Sequence, residues 1–238
     1  MTRQLIICFS IILAACGQKS ATIDNGIVDN QPLISAYSSQ IFSIAKATLE
    51  DFKKAKNGYK DIFIQDTLTI RKVNGVTELP LNRPHYPPSV IFKDTLVGIG
   101  ETDEREYHYL GRFANLEYYL VSGIFWEHYE CYLINKKTGS KTTTWNRPFL
   151  SPTSKYFANL SMAYGLEGVP NGIQIWKVEN QNYLSKYLEL DQQIWVADDF
   201  FWETDNSLIL KVAPVDQYLN ESGQPNEMEF YYLRLRLK

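Results

Sequence analysis

The sequence predicts a mainly β protein, an antiparallel meander preceded by one N-terminal amphipathic α-helix. Three observations carry that expectation. The last segment alternates with period two, Tyr231, Leu233, Leu235 and Leu237 against Tyr232, Arg234, Arg236 and Lys238, as a half-buried strand does. From Asp61 onward the apolar residues keep strand parity, as in Ile62, Ile64, Leu68 and Ile70, and Asn74-Gly75 is a hairpin turn signal. One stretch alone, Leu33 to Lys56, carries helical spacing, with Ile34, Tyr37, Ile41, Ile44, Ala45, Thr48, Leu49 and Phe52 on one face.

Composition sets the class. The 238 residues include 24 Lys+Arg, 27 Asp+Glu and three His, for a formal net charge of −3. At 45% hydrophobic and 14% aromatic, the chain is too apolar to be disordered. It lacks the basic excess of a nucleic-acid binder, so no nucleic-acid partner is expected. Three Cys are too few for a disulfide scaffold.

The N-terminus reads as an export signal. Arg3 precedes a run from Leu5 to Ala15 that is almost wholly apolar and ends in small residues. The run is shorter than the roughly 20 residues a membrane-spanning helix needs. Its end, Leu13-Ala14-Ala15-Cys16-Gly17, resembles the lipobox of bacterial lipoproteins, with Leu at −3, small residues at −2 and −1, and Cys at +1. That resemblance implies a signal peptide over residues 1–15, cleavage before Cys16 and acylation of Cys16. Acyl chains contribute about 0.8 kcal/mol per buried CH₂, and two or more anchor stably. Gly17 at +2 is not Asp, so the resemblance implies the periplasmic side of the outer membrane in a diderm host. Residues 16–31 form a polar, lipidated tether, and residues 32–238 form one β-rich domain. After processing, Cys131 is the one remaining free thiol. It shares a strand face with Leu133, which reads as a buried structural Cys rather than a nucleophile.

The helix opens at Pro32 and stops at Asn57-Gly58. Its polar face mixes Glu50 and Asp51 with Lys46 and Lys53, so it docks on the protein body rather than on a membrane. Arg83 to Pro88 is a Pro-rich loop, Glu101 to Glu106 an acidic solvated loop, and Gly165 to Gly172 a long Gly-rich loop. Arg234, Arg236 and Lys238 read as charges that blunt an exposed strand against edge pairing.

The second half hides a repeat. Leu110 to Ser122, Phe149 to Ser161 and Phe201 to Val212 each run from an apolar start through a polar turn into a strand. Each is followed by a second strand, Cys131 to Asn135, Gly172 to Val178 and Phe230 to Leu237. Ser151-Pro152-Thr153-Ser154-Lys155-Tyr156-Phe157-Ala158 resembles the turn and strand that open a WD-repeat or related propeller blade. Gly172-Ile173-Gln174-Ile175-Trp176-Lys177-Val178 resembles the blade strand carrying the Trp-Asp pair, although Lys177 stands where Asp belongs and no repeat has the Gly-His dipeptide. The resemblance implies a small or incomplete β-propeller-like arrangement over about residues 107–238, with Asp61 to Gly100 as a fourth unit at most. The N-terminal helix would cover an edge or face.

Chemistry-bearing motifs are sparse. His85, His108 and His128 show no metal-ligand spacing, and a site from His108, His128 and Glu130 is weaker than ordinary half-buried histidines. Neither a metal nor a cofactor is expected. There is no G-x-S-x-G, P-loop or G-x-G-x-x-G. Asp198-Asp199 is the only adjacent Asp pair, flanked by Trp195, Phe200, Phe201 and Trp202. Acids beside aromatics suit a sugar or peptide, so Trp195, Asp198, Asp199 and Trp202 are the candidate binding residues, against the alternative that the aromatics are core. The expected function is a non-enzymatic envelope lipoprotein that binds a protein or glycan partner, held to the membrane through acylated Cys16. The alternatives are a glycan or peptidoglycan hydrolase using Asp198 and Asp199, and a periplasmic inhibitor or immunity protein.

Overall fold

A computed structural model of the chain describes residues 37–82, 87–95, 104–126, 128–161, 170–180, 183–215 and 230–238. The lipobox with Cys16, the tether, Pro32 and Ile34, His85, Glu101 to Asp103 and most of the Gly-rich loop lie outside the described residues.

The chain starts with β1 (Tyr37–Ser38) and β2 (Phe42–Ala47), then α1 (Leu49–Gly58) and β3 (Phe63–Gln65). Next come β4 (Val76–Pro80), β5 (Ser89–Lys93), β6 (Arg105–Phe113), β7 (Tyr118–Phe125), β8 (Tyr129–Asn135) and β9 (Lys141–Thr144). They are followed by β10 (Phe149–Leu150), β11 (Tyr156–Leu160), β12 (Gly172–Val178) and β13 (Leu184–Asp191). The last three strands are β14 (Trp195–Thr204), β15 (Ser207–Pro214) and β16 (Tyr231–Leu237).

The fold is mainly β and its strand pairs are antiparallel. The first sheet has the order β3-β6-β7-β8-β9, the second β10-β11-β12-β13, and the third β1-β2-β16-β15-β14; β4 and β5 pair as a hairpin. None of these sheets closes on itself. Each sequence repeat supplies three successive strands of one sheet: β6-β7-β8, β10-β11-β12 and β14-β15-β16. Among the described residues Asp61 to Gly100 supplies no three-stranded unit like the repeats: β3 joins the first sheet, and β4 and β5 make a separate two-stranded sheet.

The layers stack in chain order because the sheets bury both faces. Alternate residues of β7 show this directly. Tyr118 and Leu120 pack with Phe157 and Leu150 of the second sheet, while Tyr119 and Val121 pack with Leu79 and Phe92 of the hairpin. In the second sheet, Ile173 and Ile175 face Leu208, Leu210, Leu233 and Leu235 of the third. The far face of the third sheet, through Ile209, receives Phe52 and Ala55 of α1. Strands buried on two sides read as continuous apolar runs, such as Leu208-Ile209-Leu210. Full burial of one such side chain contributes about 1.5–3 kcal/mol.

The helix differs from the expected Leu33–Lys56 span. It covers Leu49–Gly58 only, and Phe42–Ala47 is a strand. Phe42 and Ile44 alternate into the core, and pairing with Tyr232–Leu237 gives this stretch a ladder that an isolated helix would forgo. The true helix start is a capping box. The Thr48 hydroxyl accepts from the Asp51 N–H at 3.1 Å, and Asp51 Oδ2 accepts from the Thr48 N–H at 2.9 Å. The Asn57-Gly58 stop falls where the helix ends. The helix covers a sheet face, as expected.

The C-terminal strand has the expected parity, with Leu233, Leu235 and Leu237 buried. It is not an edge, since it lies between β2 and β15. Arg234 therefore has a different role. Arg234 Nε donates to Glu203 Oε2 at 2.9 Å, and its Nη2 lies 2.9 Å from Asp51 Oδ1, tying the third sheet to the helix cap. Hydrogen bonds to Thr48 and to Arg234 hold the Asp51 carboxyl below the usual carboxylate range. Burial raises the Glu203 carboxyl, but Arg234 and Ser207 outweigh that and lower it overall.

Two substitutions test this architecture. Ile44→Ala is expected to cost about 2–4 kcal/mol in urea unfolding, as a core truncation does, whereas a surface-like position would cost under about 0.5 kcal/mol. Asp51 and Glu203 are both depressed in the folded state, so their stabilisation is present above their unfolded pKa of about 4 and lost as pH falls through the folded values. Arg234→Met is expected to flatten that acid limb in a plot of melting temperature against pH between 6 and 3.

Candidate functional site

A cavity of about 430 Å³ opens where the second and third sheets meet the chain that enters the second. Its walls are Asn146, Arg147 and Phe149 before and within β10, Leu160 and Ser161 at the end of β11, and Val196 to Phe200 of β14. The size falls within the roughly 300–1,000 Å³ range of small-molecule sites.

The acidic wall is made by a bulge. Ala197 pairs with Val212 and Asp199 with Lys211, so Asp198 is an extra residue between them. A bulge bends its strand and re-aims side chains. Here it places two successive carboxylates on the cavity while Phe200 and Trp202 return to the core. Asp198 Oδ2 lies 2.7 Å from Lys211 Nζ. Asp199 Oδ1 accepts from the Phe200 N–H at 2.8 Å, and no ion pair reaches Asp199 among the described residues. Burial pushes the Asp199 carboxyl above the ordinary Asp value, against its own backbone hydrogen bond and the fields of Lys56 and Lys211.

The basic wall is Arg147. Its guanidinium lies 4.6 Å from the ring centres of both Phe63 and Phe149, and Nη2 donates to Asp61 Oδ2. Its Nε is buried with no hydrogen-bond partner. Two rings and one carboxylate thus fix the guanidinium plane. Tyr59 lies behind that wall, donating its hydroxyl to the Leu150 carbonyl at 3.0 Å and packing edge-on against Phe149 at 6.5 Å.

The four sequence-selected residues separate into two pairs. Asp198 and Asp199 line the cavity. Trp195 and Trp202, 6% and 2% exposed, belong to the core between the second and third sheets. Trp202 Nε1 donates to the Phe149 carbonyl at 3.1 Å, and the Trp195 carbonyl accepts from Asn171 Nδ2 at 2.9 Å and Gln192 Nε2 at 2.7 Å. Arg147 escaped the sequence reading. Asn146-Arg147-Pro148 has no motif, and its partners Asp61 and Phe63 are distant in the chain.

Other chemistry-bearing groups lie apart. Cys131 is fully buried beside Leu133 and within 3.3 Å of the Tyr129 hydroxyl, and burial pushes its thiol up to about 11. At neutral pH it is a protonated core residue. His108 Nε2 lies 3.1 Å from Glu106, which sits in β6 rather than in a loop. His128 stacks on Phe125 at 4.2 Å. Among the described residues no three His, Cys, Asp or Glu side chains converge to hold a metal ion, and no helix is long and apolar enough to cross a membrane. No protein-family model matches this chain, and no curated protein or solved structure matches it.

Two outcomes follow from the site. A carboxyl with a raised folded pKa destabilises the fold when ionised, and the penalty disappears as pH falls through that pKa. Asp199→Asn is therefore expected to melt at or above the wild-type temperature at pH 7, with any advantage vanishing toward pH 4; a clear drop at pH 7 would contradict the assignment. Peptide mapping after treatment of the native chain with a thiol reagent at pH 8 is expected to leave Cys131 unmodified until denaturant is added.

Proposed function

We propose that this chain is an exported, lipid-anchored envelope protein, tethered through Cys16, whose layered β body is a non-enzymatic binding module for a protein or glycan partner. The three larger antiparallel sheets serve as blade-like repeats of an open, propeller-like stack, a rigid frame for the loops and strand ends at its seams. The observation that carries the binding reading is the 430 Å³ cavity at one such seam, with Arg147 on one wall and Asp198 and Asp199 on the other. Its polar groups are fixed by neighbours rather than arranged around a nucleophile, which suits recognition. The anchoring reading rests on Leu13-Ala14-Ala15-Cys16.

One observation favours a second reading. Asp198 is ion-paired with Lys211 while the adjacent Asp199 is raised by burial. A carboxyl raised by burial beside a second carboxyl held in an ion pair is an arrangement that acid–base hydrolysis of a glycan can use.

Capture from detergent-solubilised envelope tests both. The acylated wild type is expected to retain one specific partner, and Asp198→Lys is expected to weaken capture at least about tenfold, or about 1.4 kcal/mol, with an unchanged melting temperature. Cys16→Ala is expected to leave the membrane fraction. A hydrolytic activity on envelope glycan abolished by Asp198→Asn with Asp199→Asn would replace the binding reading by the enzymatic one.

A further inference from the structure

Charge balance around the cavity narrows what it takes. Arg147 is matched by Asp61, and Asp198 is matched by Lys211. Asp199 is the cavity carboxylate that no ion pair matches among the described residues. The nearest cation from α1, Lys56, has its ammonium over the Phe201 ring at 5.5 Å and acts on Asp199 only through its field. A half-buried carboxylate without an ion-pair partner is a cost that a bound cation removes. An anionic ligand would meet two carboxylates instead. The chain as a whole is also acidic, with net charge −3, which favours encounter with basic partners.

The aromatic lining decides between carriers of that cation. Sugar binding commonly uses an open ring face. Phe149 and Phe200 pack edge-to-face at 5.5 Å and 85°, and one face of Phe149 already carries the Arg147 guanidinium. Trp195 and Trp202 are in the core and present no platform. The wall also carries Asn146, Ser161 and the Arg147 guanidinium, hydrogen-bonding groups of the kind that suit the carbonyls of a peptide.

We infer that the cavity receives a lysine-type ammonium side chain of a peptide or protein partner, seated against Asp199. The inference rests on the cavity being the binding site. It names the partner as a basic peptide segment rather than a glycan.

Isothermal titration of the full chain in detergent tests this with three probes: acetyl-Gly-Lys-Gly-amide, the same peptide acetylated on the lysine amine, and diacetylchitobiose. The charged peptide is expected to bind, with at least about tenfold loss on lysine acetylation, a similar loss in Asp199→Asn, and weakening by added salt. Equal binding of the two peptides, or an Asp199→Asn variant that binds as wild type, overturns the inference. So does the absence of binding by any probe. Chitobiose binding that Asp198→Lys abolishes and Asp199→Asn leaves intact overturns the ammonium assignment while the cavity reading stands. Capture of an envelope partner unaffected by Asp198→Lys removes the cavity reading itself. The melting temperature of Asp199→Asn serves as the folding control.

Discussion

Pairing of the two ends of the domain governs the rest of the structure. Phe42–Ala47 lies against Tyr232–Leu237, with Ile44 opposite Leu235 in the ladder. Without that strand the third sheet would expose β16 as an edge and lose Phe42 and Ile44 from the core shared with the second sheet. Closing so long a loop costs entropy that grows only slowly with length, so one well-packed strand offsets it. The pairing also fixes where α1 starts, because Thr48 follows directly on the strand and its cap partner Asp51 is held by Arg234 of β16.

From there the chain is led along the edges of the sheets to the site. Tyr59 touches Phe201 of the third sheet, then Phe149 and the Leu150 carbonyl of the second. Asp61 meets Arg147, and Phe63 pairs with Phe113 of the first sheet. One short connector thus contacts three sheets in succession and sets the guanidinium that forms one wall of the cavity. The opposite wall depends on the bulge at Asp198, which belongs to β14, the strand of the third sheet farthest from β2. Both walls are therefore built on frame elements, while the groups they present come from a loop and an irregularity.

Much of the β character was legible because burial on one or two faces writes itself into residue order. The parity of Tyr231 to Lys238 gave the inward Leu233, Leu235 and Leu237 correctly. The three repeats each marked three strands of one sheet. The helix start was not read, because Ile41, Ile44, Ala45, Thr48 and Phe52 fit a helical stripe as well as Phe42 and Ile44 fit a strand. What decided between them was a partner strand at the other end of the chain. The capping box at Thr48 and Asp51 was the local signal that could have placed the boundary. At the site, Asp198 and Asp199 were visible as an adjacent pair, but their separation from Trp195 and Trp202 depends on a one-residue bulge that composition does not reveal. Arg147 was invisible for a related reason, since its partners Asp61 and Phe63 are brought to it only by the stacked sheets.

The most direct test of this account is a cross-link across the closing pair. Ser43 and Arg236 stand opposite one another in the β2–β16 ladder, and cysteines in directly opposed strand positions fall within disulfide reach. In a chain carrying Ser43→Cys and Arg236→Cys, the account predicts a spontaneous intramolecular disulfide mapped between these two positions, with a higher melting temperature than the reduced form. Free thiols at both positions in the folded protein, or a bond from either position only between two chains, would contradict it.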